Sequence, residues 1–277
     1  MKRSFVVACL AFTTCFSLPV FSQGKIEQSK QELKQGGKKP DAPASQPAPS
    51  SKTDDNKTIG ETFFEGVAKV FLYITYYSTI GSYKTENHLH SPVTAYPYYN
   101  KQSGNYEKPD TTARKKSHFR LDAAYQFLYS NKNLTGNQFT INIRPFQYFY
   151  VQGQYRLLTE KVNNKKQNLS LFNASLCYDR MRFEKFNLGW SAGVCYIADD
   201  VKRAGFSAGL NAEAFIIKPV SIYAYKQWGS IHRVAVNQFE TGAKVHLHRF
   251  HINAGYQHVK IGSPLYDYGF LGVGVRL

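Results

Sequence analysis

Phe186-Asn-Leu-Gly-Trp-Ser-Ala-Gly-Val-Cys-Tyr196 alternates without a break. Phe186, Leu188, Trp190, Ala192, Val194 and Tyr196 take every second position, and Asn187, Gly189, Ser191, Gly193 and Cys195 fill the gaps. Successive side chains of a strand point to opposite faces, so this stretch is one strand with a large apolar face and a small, polar face. It is long enough to cross a bilayer at a tilt, which takes roughly 9–11 residues, whereas strands of soluble proteins centre on about 5–6.

The same pattern extends to both sides. Upstream, Phe119 to Tyr129 sets Leu121, Ala123, Tyr125 and Phe127 against Arg120, Asp122, Ala124, Gln126 and Leu128; Phe139, Ile141 and Ile143 alternate with Thr140, Asn142 and Arg144. Phe149 to Leu157 and Phe172 to Tyr178 continue it. Downstream come Phe206 to Ile216, Val220 to Trp228, Phe239 to Leu247, Ile252 to Val259 and Tyr268 to Leu277. That makes ten strands. A soluble antiparallel sheet also alternates, but here the apolar faces begin or end on Phe119, Tyr129, Phe186, Tyr196, Tyr148, Tyr155 and Phe206, as girdles at two water–lipid interfaces would. The connections at 131–136, 160–167, 199–203, 229–237 and 260–267 read as the longer, external set. Those at 144–145, 179–185, 218–219 and 248–250 read as short turns.

Composition is consistent with such a wall. The chain has 277 residues, 20 Phe, 20 Tyr and 2 Trp, and 35 Lys and Arg against 19 Asp and Glu, a net charge of +16. So many aromatics argue against disorder of the whole chain, and no G-x-y or heptad run allows a collagen or coiled coil. Beyond the N-terminus no run of about 18 uncharged apolar residues exists, so a polytopic helical membrane protein is excluded.

Residues 1–22 read as a secretory signal peptide: Lys2 and Arg3, a short apolar core from Phe5 to Phe16, then Val20 and Ser22 ahead of a cleavage site. Residues 23–57 contain no aromatic and a Pro/Ala/Ser cluster, and their seven lysines nearly cancel against five acids. They are expected to form a disordered periplasmic linker rich in Pro, Ser and Lys. Residues 58–115 begin with Phe63, Val67, Val70, Ile74 and Tyr77 on one helical face, with Thr58 and Glu61 at capping-box spacing and Gly81 at a natural stop. An amphipathic helix on the membrane surface or across one barrel mouth is expected, followed by a long irregular segment. A strand at Val70 to Tyr76 is the competing reading and would raise the count to twelve. Residues 116–277 form the barrel.

With its signal peptide, its even set of alternating strands and its last strand of Leu271, Val273, Val275 and Leu277, the chain resembles the small outer-membrane β-barrel proteins of Gram-negative bacteria, the porin-like and OmpA-like group. The resemblance implies a transmembrane antiparallel up-and-down all-β barrel in the outer membrane, folded by the barrel-assembly machinery. It is architectural and transfers no site residue.

The remaining chemistry is sparse. Cys177 and Cys195 are expected as unpaired lumen thiols, because a turn near Met181 to Phe183 would put Cys177 opposite Asn187, far from Cys195. His246, His248 and His251 form the densest histidine group, beside Glu240 and Lys244, but have metal-ligand spacing for no complete site. No G-x-S-x-G elbow is present, and no cofactor is implied. Lys161, Lys165, Lys166, Lys202, Arg203 and Arg233 lie in or beside the external connections, where they can meet lipopolysaccharide phosphates. No recognition helix or stacking module points to nucleic acid. The expected function is therefore a non-enzymatic outer-membrane barrel, structural or weakly transporting through a narrow polar lumen. A barrel enzyme acting on lipid or peptide at the external rim and a secreted soluble β-sandwich are the alternatives.

Overall fold

The structure is a computed structural model, and it describes residues 24–37, 59–99, 103–108 and 119–277, with the side chains of 59–68 left aside. Ten antiparallel strands close into one barrel, each paired with its neighbours in sequence and the last with the first. They are β1 (Arg120–Asn131), β2 (Leu134–Arg144), β3 (Phe149–Val162), β4 (Lys165–Arg182), β5 (Phe186–Ile197), β6 (Arg203–Ile217), β7 (Val220–Ile231), β8 (Val234–Leu247), β9 (Phe250–Ile261) and β10 (Leu265–Arg276). The ring is sealed where Asp122 pairs with Arg276 and Tyr129 with Gly269. The twelve-strand alternative is not realised.

The period-two reading sets the wall. Tyr125, Phe127, Phe139, Val151, Phe172, Leu176, Val194, Leu210, Ile222, Trp228, Ile252 and Leu271 stand exposed on the outside, while Gln126, Gln138, Gln154, Ser175, Ser191, Ser207, Gln227, Glu240, Asn253 and Gln257 are buried inside. A soluble monomer rarely exposes a contiguous apolar patch beyond a few hundred Å². A belt running right round a closed barrel is the surface that lipid requires.

The loop-length expectation is corrected. Three of the five connections read as long are two-residue turns at 132–133, 163–164 and 232–233; the other two are 198–202 and 262–264. Asn163 and Asn164, and His232 and Arg233, all have positive φ, the backbone of tight primed turns whose twist suits a hairpin. Strands simply continue through polar residues that resembled loop, and β4 reaches 18 residues. The opposite end has connections of similar size, at 145–148, 183–185, 218–219 and 248–249. The two ends of the wall are therefore called the hairpin mouth and the strand-terminus mouth.

The second correction concerns residues 23–57. Within them α1 (Lys25–Gln35) is a helix, seated in the hairpin mouth with Ile26 and Leu33 fully buried. Residues 38–57 and the signal-peptide reading of 1–22 lie outside the described residues. Alone, two apolar side chains could not offset the entropy of ordering eleven residues. The seat is supplied by the barrel: Leu128, Leu134, Leu158, Leu169, Ile197, Ile231, Val259 and Ile261 form one apolar cluster with them.

A second helix, α2 (Ile59–Thr79), replaces the competing strand. It stops as the sequence suggests, with Gly81 at φ 90° and its N–H on the Tyr76 carbonyl at 3.3 Å. Its described part is not amphipathic, however, because consecutive side chains from Val70 to Ile74 are all exposed. Residues 81–99 and 103–108 then fold across the strand-terminus mouth, with one 3-10 turn at Asn87–His90 and a single bridge between Val93 and Tyr106.

Candidate functional site

The inward faces of the strands build a polar lumen in two tiers. In the middle tier Glu240, on β8, is buried and gathers donors from four strands. Its Oε1 accepts from Gln126 Nε2 at 2.9 Å and Tyr223 Oη at 2.8 Å; its Oε2 accepts from Gln257 Nε2 at 2.9 Å and Gln138 Nε2 at 3.3 Å. Arg156, also buried, donates through Nε and Nη2 to Gln138 Oε1 at 2.8 and 2.7 Å. A buried carboxylate is tolerated only when hydrogen-bonded and compensated, and here the compensation comes through Gln138 from β3. These bonds run from wall to wall and tie β1, β2 and β3 to β7, β8 and β9.

The lower tier, toward the strand-terminus mouth, holds most of the charges. Arg144 Nη1 donates to Asp179 Oδ2 at 2.6 Å, Arg120 Nη2 to Asp122 Oδ2 at 3.0 Å, and Lys244 Nζ to Glu213 Oε1 at 3.2 Å. Gly272 and Gly274 on β10 leave space that Asn253 and His251 fill, since a Cβ on either glycine would strike those side chains. Between the tiers lies a cavity of about 170 Å³ lined by Arg120, Asp122, Arg144, Asn211, Glu213 and Arg276 among others. Small-molecule sites run to roughly 300–1,000 Å³, so this space suits water rather than a solute of drug size.

Ser221 and His246 meet Glu213, which lines this cavity, in the lower tier. His246 Nε2 and Glu213 Oε1 each lie 2.8 Å from Ser221 Oγ, and Arg276 Nη1 lies 3.0 Å from His246 Nδ1. A guanidinium only donates, so Nδ1 accepts and Nε2 carries the imidazole hydrogen. The chain of donation runs Arg276 to His246 to Ser221 to Glu213. A hydrolytic triad needs the opposite flow, with the imidazole taking the hydroxyl proton.

Both mouths are covered. At the hairpin mouth the α1 backbone N–H of Ile26 donates to Glu160 Oε2 at 2.8 Å, Ser29 Oγ to the Ile261 carbonyl at 3.0 Å, and the Ser263 N–H to Glu32 Oε2 at 2.7 Å. Asp200, in the 198–202 turn, is bonded by Lys30 at 3.2 Å, which holds its carboxyl below the usual range. At the strand-terminus mouth Arg182 donates to the Leu89 carbonyl at 2.6 Å, Arg120 to the Thr94 carbonyl at 3.2 Å, and Gln147 to the His90 carbonyl at 2.8 Å. Tyr106 donates to Asp179 from the covering segment, and burial pushes its phenol well up. Arg180 binds Glu86 through two nitrogens at 2.8 and 3.1 Å, and that bond lowers the Glu86 carboxyl.

The basic residues expected at the external connections, Lys161, Lys165, Lys166, Lys202, Arg203 and Arg233, are all exposed and all gather at the hairpin mouth. Cys177 and Cys195 are buried and free. The expected register was wrong: Cys177 pairs with Ser191, because the turn falls later in the chain, at 183–185. Cys195 is then four residues along β5, about 13 Å at 3.3 Å per residue, still beyond disulfide reach. His246 and His251 pair across β8 and β9 and His248 sits in the turn; among the described residues no group of three His, Cys, Asp or Glu is placed to hold a metal.

The middle tier was missed in sequence, since single Gln and Glu residues carry no spacing signal. The seat of α1 did leave a signal. Inward positions are polar along most of the wall (Gln126, Gln154, Gln257) and turn apolar at one end (Leu128, Leu158, Val259, Ile261), which marks an occupant there.

A closed ten-stranded wall, apolar outside and polar inside, has the architecture of the small outer-membrane β-barrel proteins. No family model matches the chain, and no curated protein does. Among solved structures it is similar to an outer membrane channel from Pseudomonas putida F1 at 11% identity, TM-score 0.34, over 62% of this chain and 100% of that one. Similar values hold for the NanC porin (10%, 0.34, 58% and 100%) and the N-terminal barrel domain of Pseudomonas aeruginosa OprF (12%, 0.29, 57% and 97%). Superpositions this loose add nothing to what the closed sheet itself states.

Proposed function

We propose that the protein is a structural, non-enzymatic barrel of the outer membrane whose lumen is closed in its resting form, with α1 as a built-in plug. One observation carries the reading: hydrogen bonds from Gln126, Gln138, Tyr223 and Gln257 converge on Glu240 across the lumen, between two covered mouths. A conducting lumen needs a continuous water path, and wide aqueous channels are built from about sixteen strands. Planar-bilayer recording of the refolded full chain tests it. No steady current is expected; sustained ohmic conductance at modest voltage would overturn the closed state.

With an even strand count both ends of the sheet lie on one side, which in this architecture is periplasmic, so the hairpin mouth faces outward. Lys161, Lys165, Lys166, Lys202, Arg203 and Arg233 are then the contacts for lipopolysaccharide phosphates, the lipid being the partner. Charge reversal of Lys161, Lys165 and Lys166 together is expected to weaken association with lipopolysaccharide vesicles at low salt. Unchanged association would remove these residues from the reading.

A further inference from the structure

The helix α2 is 21 residues long, about 31 Å at 1.5 Å per residue, and among the described residues it makes no extensive contact with any strand. Val70, Phe71, Leu72, Tyr73, Ile74 and Tyr76 are between 50% and 68% exposed. Consecutive helical positions are about 100° apart, so these side chains cover the whole circumference. A helical stretch apolar all round, as Val70 to Ile74 is beyond the exposed Lys69, belongs in a core or in lipid, and no described core surrounds this one.

Its end is fixed on the lipid side of the wall. Trp190 Nε1 donates to the Thr79 carbonyl at 2.9 Å and Tyr178 Oη to the Ile80 carbonyl at 2.8 Å. Trp190 shares the outward face of β5 with Val194, and Tyr178 that of β4 with Leu176; Val194 and Leu176 are about half exposed. Arg180 completes the anchor through the Tyr77 and Ser78 carbonyls at 2.8 and 3.2 Å.

The path of the chain leads to the same place. It has α1 in the hairpin mouth and residues 81–99 and 103–108 in the strand-terminus mouth. The bonds that converge on Glu240 fill the lumen between the two mouths, and α2, which precedes the cover of the strand-terminus mouth, stands outside the wall. Among the described residues no helix is long and apolar enough to cross a membrane by itself.

We propose that α2 is embedded in the bilayer beside β4 and β5, with lipid as its partner. The proposal rests on the membrane reading of the barrel, and the test separates the two. In a background with Cys9 and Cys15 replaced by serine, variants F71C and I74C, with V194C on the wall and K202C at the hairpin mouth as references, would be labelled with an environment-sensitive fluorophore; Cys177 and Cys195 are buried and stay unlabelled. The full chain is reconstituted in phosphatidylcholine vesicles, and heat-modifiable gel migration confirms each variant as folded. Labels at 71, 74 and 194 are expected to be quenched several-fold more by doxyl-lipids than by iodide, and the label at 202 the reverse. Iodide quenching at 71 and 74 with lipid quenching retained at 194 overturns the α2 proposal alone. Iodide quenching at 194 as well overturns the membrane reading with it.

Discussion

The two mouths of the barrel are closed by different physics. At the hairpin mouth an eleven-residue helix is seated by apolar fit, with Ile26 and Leu33 entering a ring of strand ends, and the bonds around them are mostly to backbone groups and neutral side chains. At the strand-terminus mouth the cover is held by ions. Arg120, Arg144, Arg180 and Arg182 reach carbonyls and carboxylates of the covering segment or of the strands beneath it. Apolar fit is non-directional and lets the occupant leave as a unit. Charge-assisted bonds are directional, and each one lost strands a buried partner.

The largest effect is therefore expected at the ionic mouth. Asp179 is 2% exposed and takes bonds from Arg144 and Tyr106. Asp179→Ala leaves the Arg144 guanidinium buried without its carboxylate, for which breaking a buried pair costs about 3–5 kcal/mol. Denaturant unfolding of the reconstituted barrel reads this directly. A loss below about 1 kcal/mol, the range of a surface pair, would mean that water already solvates the lower tier and that the two mouths do not differ as argued.

Leu33→Ala acts on the other mouth. Truncating a buried leucine costs about 2–5 kcal/mol, and here the cost is borne by seating α1 rather than by the wall. Protease cleavage within residues 24–37 is expected to accelerate strongly while unfolding of the barrel hardly changes. Equal loss of both would show that plug and barrel form one cooperative unit. The segment was illegible beforehand for this reason: Ile26 and Leu33 are seven residues apart in an otherwise polar run, and their partners are scattered from Leu128 to Ile261. The wall was legible because lipid on one side and a polar lumen on the other force a period of two on every strand, as in Phe186 to Tyr196. Turn positions were not, since Asn163-Asn164 and His232-Arg233 are polar like the lumen face and break no pattern. The inward residues of the middle tier were placed on the correct face, but which of them meet depends on closure of the ring and could not be read from any one strand.

The smallest effect, a pH dependence, belongs to the covering segment. Arg180 lowers the Glu86 carboxyl, so the tether is complete above the ordinary carboxylate value and is lost as pH falls through the depressed one. His88 is lowered by burial; its charging in the opened segment favours opening as pH drops below the ordinary histidine value. Both act in the same direction over successive windows, so acid should loosen residues 81–99 in two steps, histidine first. Limited proteolysis across pH 7 to 3 would follow it. In Arg180→Ala the carboxylate step should vanish while the histidine step persists, because His88 owes its shift first to burial and only in part to the guanidinium. The hairpin mouth has its own acid-sensitive contact, Lys30 with Asp200, but the Asp200 carboxylate is exposed, where solvent screens it. Cleavage of α1 should therefore change little over the same range, and a parallel acid release of both mouths would erase the distinction between fit and charge.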